Sequence, residues 1–193
     1  MTPEDHAIFT IGHSTHPIDA FIALLRQHGV TALADVRSAP YSRFNPQFNK
    51  DALVRELKVH GIKYVFLGRE LGARTDDRSC YENGRVQYRR LALTELFRDG
   101  IERVLTGASK HRIALVCAEK EPLDCHRTLL VARALDEQGV EVRHILADGR
   151  LEPHRDTLER LLKIMGLAKD ELFRSGEERI AEALKRQEVK VVG

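Results

Sequence analysis

The sequence predicts an α/β domain: an open, mainly parallel sheet of about five strands with helices on both faces, a Rossmann-like three-layer sandwich. Three observations carry this reading. Short apolar runs of strand length alternate with amphipathic helical patterns. Glycines stand where helical patterns stop, at Gly29, Gly61 and Gly139. Polar and charged residues recur at the carboxyl ends of the apolar runs. A partial β/α barrel has the same local pattern and is the alternative.

Ala7 to Gly12 is a short buried strand. Pro17 opens the first helix, where its missing N–H is harmless. Ile18, Phe21, Ile22, Leu24 and Leu25 give that helix one apolar face. Thr31 to Val36 is the second strand, Asp51 to His60 the second helix, and Ile62 to Leu67 the third strand. A long polar loop runs from Gly68 to Gln87. Leu91 to Leu105 is the third helix and Arg112 to Cys117 the fourth strand. A fourth helix through Thr128 to Leu135 ends near Gly139, and Val140 to Leu146 is the fifth strand. Beyond Gly149 the pattern changes. Leu158, Leu161, Leu162 and Met165 form a helical stripe, and Glu177 to Val189 is a charged helix with Ile180 and Leu184 on one side. We therefore divide the chain into a core, residues 1–150, and a helical C-terminal extension, 151–193, packed on the core or on a second copy in a homo-oligomer.

The chain has 193 residues, 42% of them hydrophobic and enough for an ordinary core. Charged residues make up 31% but nearly cancel to a net +2, so no broad nucleic-acid or membrane surface is announced. No run approaches the ~18 apolar residues of a membrane span. Met1 to Asp5 lacks the basic and apolar regions of a signal peptide. Three cysteines, an odd number, do not make a disulfide framework, and a reducing cytoplasm is the expected compartment.

The densest chemistry lies between Cys117 and Arg127, Cys-Ala-Glu-Lys-Glu-Pro-Leu-Asp-Cys-His-Arg. Cys125 is expected in the first turn of the fourth helix, capped by Asp124, where the helix dipole and Arg127 favour thiolate. Cys117 reads as a core thiol. On a regular helix Cys125 and His126 diverge, so His126 is expected to meet another strand through Asp35 or Glu119. Other strand ends add His13 and Ser14, then Asp35, Arg37, Ser42 and Arg43, and finally His144 with Asp148. Ligands of open parallel sheets bind at that edge. His16, His60, His111 and His154 read as surface or helix-end residues.

These residues also carry a resemblance. Ile11-Gly-His-Ser14, Asp35-Val-Arg-Ser-Ala-Pro-Tyr-Ser-Arg43, Cys117-Ala-Glu-Lys120 with Cys125-His-Arg127, and His144-Ile145 resemble the domain of unknown function 488 family. Tyr64, Leu71-Gly72, Gly84 with Tyr88, and Leu172-Phe173 through Gln187 are similar too; Ala73 departs from an expected second glycine. The resemblance implies a compact α/β domain with a polar pocket and supplies no reaction.

The leading expectation is a cytoplasmic enzyme acting on an anionic, nucleotide-like small molecule or a nucleic-acid end. Ser14, Arg37, Ser42, Arg43, Lys120 and Arg127 are the candidate binding groups. Cys125, Glu119 and His126 are the candidate reactive groups, with Asp35 and His13 orienting them or handling protons. A binding module and a structural polar network are the alternatives. Tyr41, Arg43 and Phe44 keep a base-stacking contact open. There is no P-loop, no G-x-G-x-x-G and no G-x-S-x-G elbow, which narrows the field and leaves the cofactor unknown. Val131 and Leu123 stand where a tyrosine-phosphatase pattern needs arginine after Cys125 and Cys117. Cys125, His13 and His126 are zinc ligands by type, but their spacing matches no standard site and no metal ligand is assigned.

Overall fold

The computed structural model describes residues 7–168 and 174–192. Met1 to Asp5, Leu172 and Phe173, singled out above, lie outside them. In chain order the elements are β1 (Ile8–Gly12), α1 (Ile18–Gln27), β2 (Ala32–Asp35), α2 (Lys50–Val59), β3 (Lys63–Phe66), α3 (Gly68–Leu71), β4 (Tyr81–Glu82), β5 (Arg85–Val86), α4 (Tyr88–Leu91) and α5 (Glu95–Ala108). Then come β6 (Ile113–Cys117), a π-helical turn (Arg127–Ala132) running into α6 (Arg133–Asp136), β7 (Val142–Ile145), β8 (Leu151–Pro153), α7 (His154–Ile164) and α8 (Gly176–Val192).

The main sheet has six strands in the order β3-β2-β6-β1-β7-β8. Its first five strands are parallel, and β8 is an antiparallel edge strand. The sheet is open, bounded by β3 and β8, so the barrel alternative is ruled out. The strand count exceeds expectation by β8, whose Leu-Glu-Pro offers little apolar pattern and tolerates proline because it is an edge.

Period-two alternation divides the interior. Phe9, Ile11, Leu33, Ala114 and Val116 face α1 and α2, packing on Phe21, Leu25, Leu53 and Leu57. Ile8, Ala32, Ala34, Ile113, Leu115 and Cys117 face the opposite layer of α5, the π-helical turn and α7. Fully burying a Leu, Ile or Phe is worth about 1.5–3 kcal/mol, so this doubly covered sheet is the main stabilising feature.

The segment from Gly68 to Gln87 is more ordered than a loop. It holds α3 and the hairpin β4–β5, whose Asn83 and Gly84 both have positive φ, 50° and 78°. That is the backbone a two-residue hairpin turn demands. The expected third helix is broken at Ala92–Thr94, and Thr94 Oγ1 accepts from Phe97 N (3.2 Å) to start α5 afresh. At the other end α8 lies against the core: Gln187 Nε2 donates to Leu123 O and Asp124 Oδ1, both at 3.0 Å. Asp124 thus bonds α8 and does not cap the following helix.

The connection from β1 leads towards β2, and that from β6 leads the other way to β7. With right-handed crossovers, the two leave on opposite faces and open a crevice between neighbouring strand ends. The candidate residues fall there.

Candidate functional site at the carboxyl edge of the sheet

The crevice is closed at its base by backbone pairing that outlasts the strands. His13 N donates to Cys117 O and Ser14 N to Ala118 O, each at 2.9 Å. Gly12 permits the approach, since a Cβ there would stand 1.9 Å from Glu119 O. Ser14 takes a left-handed φ of 46° to leave the sheet.

Cys117 ends β6 facing the helical layer. The chain then turns through Pro122–Asp124, where Glu121 Oε1 accepts from Leu123 N at 3.1 Å. Cys125 is extended, with φ −138° and ψ 140°. Its sulfur accepts from Arg127 N at 3.4 Å and so caps the π-helical turn. Cys125 and His126 are therefore not neighbours on a regular helix, and their side chains converge. His126 Nδ1 lies 3.5 Å from Cys117 Sγ and 3.9 Å from Cys125 Sγ. His126 Nε2 meets Val36 O at 2.9 Å, a contact only an N–H can make, which turns the Nδ1 lone pair on the sulfurs. Glu119 Oε2 lies 2.9 Å from both sulfurs. Atoms able to ligate a metal on Cys117, Glu119, Cys125 and His126 all lie within 4.8 Å of one another.

Burial pushes Cys117 well above the ordinary thiol range, and the neighbouring Cys125 adds to the effect. Burial opposes ionisation of Cys125 too, but the hydrogen bond from Cys117, the Arg127 guanidinium and His126 outweigh it and hold this thiol well below its usual value. Glu119 is exposed as a residue, but its carboxyl turns in on the sulfurs, and desolvation there together with Cys125 raises it. Burial opposes protonation of His126, yet Cys125 raises it overall. The opposed shifts make Cys125 the more acidic of the two thiols.

Beside the cluster, Arg37 Nε and Nη2 donate to Asp35 Oδ1 and Oδ2 at 2.8 and 2.6 Å. Tyr64 Oη donates to Asp35 Oδ2 at 2.8 Å. Burial works against the Arg37 charge, but the bonded Asp35 more than compensates. Asp35 thus holds the Arg37 side chain in place. No hydrogen bond among the described residues occupies Arg37 Nη1. A hollow of about 520 Å³ opens over this wall, lined by Arg37, Arg74, Tyr81, Arg85, Cys117, Glu119 and His126, among others. A second, of about 400 Å³, shares Arg37 and Glu119 and adds His13, Ser14, Tyr41, Ser42 and Lys120. A larger hollow of about 610 Å³ lies on the flank over Ala32–Ala34 and Val65; it has neither thiol nor tyrosine on its walls, and chemistry rather than size locates the site.

The edge brings together Glu119, His126, Asp35, Arg37, His13, Ser14 and Lys120. Cys125 is only 1% exposed and lies behind Cys117, off both hollow walls. His13 stacks on Phe48 at 4.4 Å, and burial lowers it to about 4, so it is neutral. Arg127 is 0% exposed and off both walls; Nη1 and Nη2 donate to Glu119 O (2.7 Å) and Lys120 O (3.2 Å), holding the loop. Ser42 Oγ accepts from Phe44 N and Asn45 N at 3.2 and 3.1 Å, which braces its own turn. Arg43 stacks on Phe44, 4.5 Å from the ring centre. His126 meets Val36 O and the sulfurs in place of Asp35. His144 and His154 are buried away from the hollows: His144 Nδ1 bonds Thr10 Oγ1 (2.7 Å) and His144 Nε2 faces His154 Nδ1 (3.0 Å). His154 thus begins α7, a helix-end residue as read, but a buried and not a surface one. Arg74, Arg85 and the reactive position of Cys117 are additions that the sequence reading missed. Asn83-Gly84 was the available signal, since it announces the hairpin that carries Arg85 to the wall.

No curated protein and no solved structure matches the chain. A family model described as "Domain of unknown function DUF488" matches residues 17–134, a span that takes in Asp35, Arg37, Tyr64 and the whole Cys117–Arg127 segment. The chain belongs to the DUF488 family.

Proposed function

We propose that this chain is a cytoplasmic enzyme that binds a small anionic, nucleotide-like substrate in the hollow beside Cys117, Glu119 and His126. One observation carries the reading: Arg37, Arg74 and Arg85 line the same hollow as that reactive cluster. Among the described residues, no carboxylate pairs with Arg74 or Arg85. Arg37 is held rigid by Asp35 with Nη1 to spare, which suits recognition of a phosphate or carboxylate oxygen. The volume of about 520 Å³ suits a ligand of nucleotide size, and Tyr81 offers a ring on its wall.

The test is a thermal-shift and calorimetric titration with pyrophosphate and with adenosine and uridine monophosphates at low salt. At least one ligand is expected to raise the melting temperature of the wild-type chain, and Arg74→Ala/Arg85→Ala is expected to remove the effect. Mass spectrometry of the incubated ligand then reads turnover, which Glu119→Gln is expected to abolish with binding retained. No response to any of these anions overturns the reading; binding without turnover reduces it to a binding module. A nucleic-acid end is the second reading, favoured by Tyr41 and Phe44, 73% and 78% exposed. It requires a short single strand to bind with steep salt dependence.

A further inference from the structure

We propose that Cys117, Cys125 and His126 form a zinc site on the floor of this pocket, with Glu119 as an exchangeable fourth ligand. The inference supplies a reactive centre to the pocket proposed above, and rests on that reading only for its role, not for the ion.

The donor set is the first argument. Two thiols, one imidazole nitrogen and one carboxylate oxygen converge within 4.8 Å, and both cysteines are free. Thiolates exclude magnesium and calcium and favour zinc, and an N/S/O set of four suits its tetrahedral preference.

Distances are the second argument. Zinc bonds of about 2.3 Å to sulfur and about 2.0 Å to nitrogen or oxygen place tetrahedral ligands about 3.5 Å apart for S···N and S···O. The S···N separations are 3.5 and 3.9 Å, the first at that spacing and the second about 0.4 Å beyond it. Glu119 Oε2, at 2.9 Å from each sulfur, is too close and has to withdraw by roughly 0.6 Å. Glu119 is exposed and can do so, whereas the cysteines and His126 are buried and fixed. The rigid three are thus the permanent ligands. The movable carboxylate occupies the position facing the hollow, where catalytic zinc sites keep an exchangeable ligand.

The surroundings are the third argument. His126 directs Nδ1 at the sulfurs because Nε2–H is spent on Val36 O at 2.9 Å, the backbone-carbonyl partner that orients ligating histidines. Arg127 N–H bonds Cys125 Sγ at 3.4 Å, and the guanidinium beneath helps offset two thiolates and a carboxylate around one dication. Binding forms two Zn–S bonds, one Zn–N bond and one Zn–O bond; protons still held by these groups pass to buffer. Bound there, zinc would supply Lewis-acid polarisation of a ligand oxygen or water.

The experiment uses the full chain, purified under a phosphine reductant, stripped with chelator and reloaded with zinc or cobalt(II). Expected are one zinc per chain and, for cobalt, thiolate charge-transfer absorption with the intense visible bands of a tetrahedral centre. Cys117→Ser and His126→Ala are expected to lower zinc affinity at least tenfold, and Cys80→Ser to leave it unchanged. Alkylation of the unmutated chain guards against a variant that fails to fold. Chelator is expected to accelerate modification of Cys117 and Cys125 at least tenfold and leave Cys80 as it was. Alkylation rates indifferent to chelator, or zinc uptake equal in wild type and a folded Cys117→Ser/Cys125→Ser chain, overturn the site. A chain that binds pyrophosphate but no zinc refutes this inference and leaves the pocket reading standing. Zinc uptake with no anion bound does the reverse.

Discussion

Replacing Asp35 by asparagine probes the rigidity that the anion reading requires of Arg37. Asp35 is wholly buried and Arg37 nearly so, and the carboxylate accepts from Arg37 N, Nε and Nη2 and from Tyr64 Oη. Asparagine keeps one acceptor oxygen and turns an NH2 towards these donors. At about 1.5–3 kcal/mol for each hydrogen bond involving a charged group, losing two of them costs about 3–6 kcal/mol. Stranding one partner of a buried ion pair costs about 3–5 kcal/mol, an overlapping range. With a urea m-value near 2 kcal/mol/M, a loss of about 4 kcal/mol lowers the unfolding midpoint by about 2 M. Removing the stranded cation as well, in Asp35→Asn/Arg37→Met, is expected to recover at least half of that shift. Urea unfolding followed by circular dichroism measures both. A cost under about 1 kcal/mol for Asp35→Asn, the figure typical of a solvated surface pair, would refute the claim that Asp35 and Arg37 form a desolvated, preorganised unit.

Three further outcomes are expected. Gly12→Ala places a Cβ 1.9 Å from Glu119 O, so it is expected to cost about 1–3 kcal/mol or more in chemical denaturation; a neutral effect would deny the close approach of β1 and the Glu119 loop. Arg127→Met strands the carbonyls of Glu119 and Lys120, at about 1–3 kcal/mol for each one left unsatisfied. Lost anion affinity at unchanged stability would instead make Arg127 a direct ligand contact. Burial lowers His144 and His154 below the ordinary 6.5, with His154, Arg127 and Arg160 adding to the effect at His144 and Asp136 opposing it at His154. The unfolded chain therefore binds more protons below pH about 6.5. Stability is expected to be full above that value and to fall as pH drops through it, and His144→Gln/His154→Gln is expected to flatten the profile; an equally steep loss in that variant would contradict it.

The parallel sheet was legible because β1, β2 and β6 are mostly apolar and buried from end to end and its helices are striped, as at Phe21, Ile22 and Leu25. β8 was hidden because a three-residue edge strand containing Pro153 leaves no periodic trace. The location of the site was legible as well, since polar residues recur at strand ends. Its inner arrangement was not. Helical spacing separates Cys125 from His126, but an extended Cys125 followed by a π-helical turn converges them, and no one-dimensional period encodes that. Cys117 reads as core because it ends an apolar strand; only the returning chain brings Cys125 and His126 to it. Arg85 looks like a loop charge until the Asn83-Gly84 turn brings it to the wall, and Arg74 until its N–H bonds Ser38 Oγ.

The most direct test of the central claim is a crystal structure of the chain with tungstate, located by its anomalous scattering. The account predicts tungstate in the hollow over Cys117, Glu119 and His126, within hydrogen-bonding reach of Arg37 Nη1 and of Arg74 or Arg85. Tungstate bound elsewhere with that hollow filled by water alone would contradict it.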